Sequence, residues 1–169
     1  DGEYNYVEGE VVTFSIGDLV FPEVTASGII TPFELAGSTD INSAAVINIA
    51  RLLQTLDEDG DTSNGITIPT SAIAVATAID FNVEPSDFEN DAAVQAFVAS
   101  SGSLNTELVS QIDALNHFTE TLDDNDLVVV TDSDSDGVAD IIDFAPNDPN
   151  ESFDTDGDGT GDNADLDDD

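Results

Sequence analysis

The chain has 169 residues, with 38 acidic side chains against one Arg and no Lys, for a formal net charge of −37. That length holds one domain and an appendage. A field of this sign excludes nucleic acid and anionic membrane surfaces as direct partners and favours divalent cations. The absence of Lys excludes Schiff-base chemistry, and the absence of Cys excludes disulfides and thiol nucleophiles. No apolar run reaches the ~20 residues of a membrane-spanning helix. The acids are uneven: 18 of the 38 lie from Asp123 onward. The composition therefore predicts a globular domain over residues 1–127 and a separate Asp-rich region over 128–169.

The first 35 residues read as β-structure. Glu3–Val7, Val11–Ile16, Leu19–Phe21 and Ile29–Ile30 are rich in β-branched and aromatic residues, and Gly17-Asp18 marks a tight turn. The chain has no Met and opens with a turn, Asp1-Gly2, leading straight into a strand. The expectation is a processed or truncated amino terminus and a sheet edge open to pairing with another chain. Residues 40–56 predict a helix with Asp40 as N-cap and Ile41, Ala44, Ala45, Ile49, Leu52, Leu53 and Leu56 on one face. Arg51, the one base, is expected to form a structural ion pair that ties this helix to the sheet.

The segment Asp57-Glu-Asp-Gly-Asp-Thr-Ser-Asn-Gly65 sets Asp57, Asp59 and Asp61 at positions 1, 3 and 5. An EF-hand loop wants Gly at position 6 and Glu at position 12. Gly60 stands at position 4 and Ile68 at position 12, so the loop is not of that type. Two readings stay open: a calcium loop closed by some other residue, or a polar turn with an Asn-Gly reversal at 64–65. Further on, the spacing predicts a helix from Pro69 to Asp80, with Ile73, Val75, Ala76 and Ile79 buried. A second runs from the Ser86–Glu89 capping box to about Ser100, and a third covers 106–122 with Leu108, Ile112, Leu115, Phe118 and Leu122 on one stripe. Leu127–Val130 predicts a short strand or extended linker. His117, with no second His and no Cys, reads as a partly buried structural residue and not as a transition-metal ligand.

Aspartates then recur at alternate positions: Asp132, Asp134 and Asp136, followed by Asp140 and Asp143. The pattern returns 22 residues later at Asp154, Asp156 and Asp158, followed by Asp162 and Asp165. A third start stands at Asp165, Asp167 and Asp169. Almost nothing in the stretch can build an apolar core, and like charges hold such a chain open. Calcium, a hard cation that takes six to eight oxygens, supplies the missing counter-charge. Gly137 and Gly159 follow each third aspartate and permit the sharp turn that aims the next carbonyl, of Val138 or Thr160, at an ion. The matching glycine offsets argue against a merely solvated acidic tail.

These DxDxDG and DxDGDG runs, with Pro146 and Asn150 between them and GDNAD at the end, resemble thrombospondin type 3 repeats of the cysteine-free bacterial kind. The resemblance implies that Asp132, Asp134, Asp136, Asp140, Asp143, Asp154, Asp156, Asp158, Asp162 and Asp165 are calcium ligands. It also implies that Asp167 and Asp169 belong to a further, partial site. Ala145 and Ala164 stand where that family places its paired cysteines. Separately, NIARLLQTLDEDGDTSNGITIP resembles a module of exported and lipid-anchored proteins of aquatic bacteria, over roughly residues 1–122, with no established activity.

The expected fold class is α+β: an N-terminal antiparallel β-sheet packed with about four helices, followed by an irregular calcium-stabilised repeat region. The expected function is a non-enzymatic calcium-binding structural module, a rigid joint or spacer, placed outside the cell where calcium is abundant. One alternative is a subunit of a calcium-dependent extracellular filament that binds copies of itself. Another is an adhesin or carbohydrate-binding accessory domain, against which the low aromatic content counts. No GxSxG, HExxH or phosphate-cradling loop is present, and one Arg without Lys is a poor holder of anionic substrates.

Overall fold

The computed structural model describes residues 4–128, 131–155 and 159–166. It is a mixed α+β chain with four short strands and six α-helices among the described residues. It divides into two compact units, Asp1–Ala114 and Leu115–Asp169.

The first unit begins with two small antiparallel ribbons. Strand β1 (Val11–Val12) pairs with β4 (Val24–Thr25), and β2 (Ser15–Ile16) with β3 (Leu19–Val20). The β2–β3 turn is the expected one at Gly17-Asp18. Gly17 has φ 54°, and a Cβ there would lie 2.0 Å from the Ile73 carbonyl oxygen, so only glycine fits. Two expected strands are absent. Residues 4–7 form no strand, Glu3 lies outside the described residues, and Ile29-Ile30 lead into a helix instead. That helix, α1 (Pro32–Ala36), starts at a complete capping box between Thr31 and Glu34, with Pro32 at its first position.

Helix α2 (Ala44–Thr55) is the axis of the unit. It starts later than the periodicity suggests. Asp40 caps a preceding turn by accepting from the Asn42 N–H, and Ser43 is the N-cap. Nor is it buried on one face only. Val46, Ile47, Asn48, Ala50 and Arg51 are buried together with Ala45, Ile49 and Leu52, as expected of a helix enclosed by neighbours on several sides. Helices α1 and α4 (Pro85–Asn90) pack on it, while α3 (Thr70–Val75) packs on α5 (Ala92–Ser100). Its side chains join Leu19, Phe21, Phe88, Val94 and Phe97 in one apolar cluster. Phe21, Phe81 and Phe88 stack in a row, with centroids 5.5 and 5.7 Å apart. Full burial of a residue such as Leu52 contributes ~2 kcal/mol.

The remaining helices depart from the periodicity for local reasons. Helix α3 stops at Val75, because Ala76 turns to ψ 141°, and Ile73 and Val75 are exposed while Ala72 and Ala76 are buried. The single helix expected over 86–100 is two. Glu89 makes no capping box; it pairs with Arg51, while Asp91 caps α5 by accepting from the Ala93 and Val94 N–H groups. Helix α6 (Gln111–Asp124) begins five residues later than expected. Val109 donates its N–H to Thr55 Oγ1 and its carbonyl accepts from Arg51 Nε, which removes both groups from a helical ladder. Arg51 therefore joins α2 to α4 and to the segment before α6, not to the strands. It donates to Glu89 Oε2 (2.8 Å), Val109 O (2.9 Å) and Pro85 O (3.4 Å).

The boundary between the compact units falls inside α6. In the second unit Leu115, Phe118 and Leu122 of α6 are buried, and His117 is half-buried. Leu127 and Val128 form no strand, and the rest of that expected segment, residues 129–130, lies outside the described residues. From residue 131 the second unit has no helix or strand among its described residues. No helix among the described residues is long and apolar enough to cross a membrane.

Candidate metal centre in the Asp-rich repeats

Local hydrogen bonds shape the first repeat. Asp132 accepts from the N–H groups of Ser135 (2.7 Å) and Gly137 (3.1 Å), closing a tight loop. Asp134 Oδ1 accepts from the Asp136 N–H, and Asp136 Oδ1 from the Val138 N–H. The loop needs two left-handed residues, Ser135 (φ 66°) and Gly137 (φ 96°). Asp140 closes it from outside. Its Oδ2 accepts from the hydroxyls of Thr131 and Ser133 and its Oδ1 from the Ser133 N–H, each at 2.7 Å. These bonds hold the Asp140 carboxyl below the ordinary carboxylate range.

The result is a convergence of carboxylates. Ligand atoms of Asp132, Asp134 and Asp136 lie within 4.8 Å of one another, the one such trio among the described residues. Asp143 joins the same field. The Asp134 carboxyl is raised above its ordinary value, first by removal from water, then by the charges of Asp136, Asp143 and Asp132. Asp143 is raised in the same way, first by removal from water, then by Asp136, Asp140 and Asp132. Each of these two groups also has one oxygen, Oδ2, shut away from water without a hydrogen-bond partner. Asp136 Oδ2 accepts from the Ser152 hydroxyl, which brings the start of the second repeat to the first loop. Such an all-oxygen cluster has the chemistry of a site for a hard divalent cation. Val138, expected to offer its carbonyl, is buried beside the loop.

The second repeat is built the same way. Asp162 Oδ1 and Oδ2 accept from the N–H and hydroxyl of Thr155, both at 2.7 Å, as Asp140 accepts from Ser133. Gly159 N–H donates to Asp154 Oδ2 at 2.9 Å, as Gly137 does to Asp132. The Asp162 N–H donates to Phe153 O and the Asp140 N–H to Thr131 O, both at 2.8 Å. The 22-residue sequence offset is thus also a repeat of backbone geometry. Thr160 is exposed and Asp165 half-buried. Asp156, Asp158, Asp167 and Asp169, expected as further ligands, lie outside the described residues.

The third predicted carboxylate set stands in the first unit. Asp57 is fully buried, and its Oδ1 accepts from the Thr67 N–H at 2.8 Å. Asp59 is exposed and accepts from the Asp61 N–H and from Asn64 Nδ2, both at 3.0 Å. These bonds, the backbone one foremost, hold its carboxyl low. Asp61 turns away to cap the short 3-10 turn Thr62–Asn64, which Gly65 ends at φ 95°. Of the two readings left open for this loop, the Asn-Gly reversal is present, in the 3-10 turn that Gly65 ends.

Sequence reasoning did not separate the roles of Asp140 and Asp162 from those of the other aspartates. The signal was available: a Ser or Thr follows the first Asp of each repeat, Ser133 and Thr155, and supplies the donors that Asp140 and Asp162 accept. No protein-family model, curated protein or solved structure matches the chain.

Proposed function

We propose that the chain is a non-enzymatic, calcium-binding structural module of the cell surface or extracellular space, in which the Asp-rich repeats fold around calcium to form a rigid joint or spacer. The observation that carries this reading is the cluster of Asp132, Asp134, Asp136 and Asp143, with the Oδ2 atoms of Asp134 and Asp143 enclosed and unpartnered. Carboxylates this close repel one another, and shutting an oxygen of Asp134 and of Asp143 away from water without a counter-charge is costly. A calcium ion reverses both effects and turns binding into folding energy for a segment that has little apolar surface to bury. The equivalent backbone bonds around Asp154 and Asp162 support a second loop of the same kind. Calcium at extracellular concentrations fills sites of this type, which supports a location outside the cell.

Small-angle scattering and calorimetric titration with calcium test the reading. The metal-free chain is expected to contract on adding calcium, with binding heat, and to stay monomeric. Asp134→Asn together with Asp143→Asn is expected to remove most of the contraction. A chain that binds no calcium, or that keeps its size with calcium bound, overturns the reading. Growth into large assemblies favours a polymerising subunit over a spacer.

A further inference from the structure

Asp57 is the most deeply buried acid among the described residues. It is 0 % exposed, and its Oδ2 has no hydrogen-bond partner. The other buried unpartnered side-chain oxygens of the first unit, on Ser43 and Asn48, belong to neutral groups. A buried carboxylate is ordinarily paired with a cation or bound to a metal. Arg51, the only Arg or Lys in the chain, is engaged with Glu89 in the one ion pair among the described residues. Asp57 also follows the C-terminal end of α2, whose last turn carries no basic residue. The negative end of a helix dipole favours a cation there and disfavours an unaccompanied carboxylate. Asp59 stands two residues on in the same loop, and the Asp57 side chain acts on its carboxyl. Two acids thus follow a helix C-terminus with no protein cation paired to either of them among the described residues.

We infer that Asp57 and Asp59 hold a hard divalent cation, calcium by the chemistry of their oxygens, at the C-terminal end of α2. The ion clamps the loop from Asp57 to Thr67 onto the helix that forms the axis of the first unit. Asp57 supplies its buried Oδ2 while Oδ1 keeps the Thr67 N–H, and Asp59 closes the site from the solvent side. Calcium suits such a loop because it accepts irregular coordination and backbone carbonyls alongside carboxylates. Asp61, which caps the 3-10 turn, is not required. The site is independent of the repeats, and each reading can fail while the other stands.

The test uses the full chain with calcium as the only probe, in a background of Asp134→Asn and Asp143→Asn that weakens the repeat site. Backbone amides of residues 57–67 are followed by NMR, and the first unit's stability by urea unfolding of its helical signal. Calcium at a hundred times its Kd is expected to shift those amides and to raise the folded-to-unfolded ratio about 100-fold. Asp59→Asn, a change at an exposed residue that leaves the core intact, is expected to cut that gain at least tenfold. Asp57→Asn keeps an acceptor for Thr67 and removes the charge, so it is expected to be more stable than the parent without calcium and indifferent to calcium. Amides that do not move, or a calcium response unchanged by Asp59→Asn, overturn the inference. So does a first unit whose stability follows pH but not calcium, which would mean the two carboxyls share a proton instead.

Discussion

Replacing Arg51 with Leu separates two accounts of what the single base does. Its side chain is 5 % exposed, whereas Glu89, its ion-pair partner, is 51 % exposed. Water screens the charge pair, so that pair contributes about 1 kcal/mol at most. The larger share comes from the carbonyls. A charged donor to a carbonyl contributes about 1.5–3 kcal/mol, and Val109 O accepts at 2.9 Å while Pro85 O, at 3.4 Å, is a weaker contact. Leu recovers some apolar burial but leaves the Val109 carbonyl without its donor. Arg51→Leu is therefore expected to cost about 3 kcal/mol, or roughly 12 °C in the midpoint of the first unit. Glu89→Gln is expected to cost about 1 kcal/mol or less. Urea unfolding followed by helical circular dichroism, at fixed calcium, measures both. Equal costs for the two variants refute the carbonyl account and make the ion pair the source of stability. A neutral Arg51→Leu shows that desolvating the guanidinium cancels everything it gains.

The repeats respond to pH with opposite signs. Asp134 and Asp143 have folded-state values raised above the unfolded one, so their penalty is absent below the unfolded value and grows as pH rises through the raised one. Asp140 is lowered, so its contribution is present above the unfolded value and lost as pH falls through the lowered one. Without calcium the second unit is expected to be most compact in mildly acid solution and to expand toward neutrality, read by small-angle scattering. A minimum in size at neutral pH in metal-free buffer contradicts this. Ser135→Gly removes a left-handed strain of about 1 kcal/mol at φ 66° and is expected to tighten calcium binding roughly fivefold in calorimetry. The second repeat already has Gly157 at the matching position. Unchanged or weaker affinity refutes the strain argument.

What was legible in the sequence was whatever depends on neighbours along the chain. The Gly17-Asp18 turn and the 22-residue recurrence of aspartates both follow from contacts a few residues long. The Thr31–Glu34 capping box is equally local, and it starts a helix just after Ile29-Ile30, where the apolar pair alone suggests a strand. The burial of Ile73 and Val75, by contrast, was read from apolar type alone, and the observed geometry turns both outward.

Composition and spacing alone determined that the last forty residues have no apolar core of their own and present carboxylates at fixed intervals, because repulsion and loop closure act between near neighbours. The tertiary structure alone decided which groups are enclosed. Helix α2 is buried on several sides because its partners come from segments more than thirty residues away: Phe81 and Val83 accept from Asn48, and Val109 accepts from Arg51. Helix α6 starts late because Val109 bonds across the unit to Thr55. Of three similar aspartates in one loop, only Asp57 is enclosed, and enclosure is what makes a charge expensive.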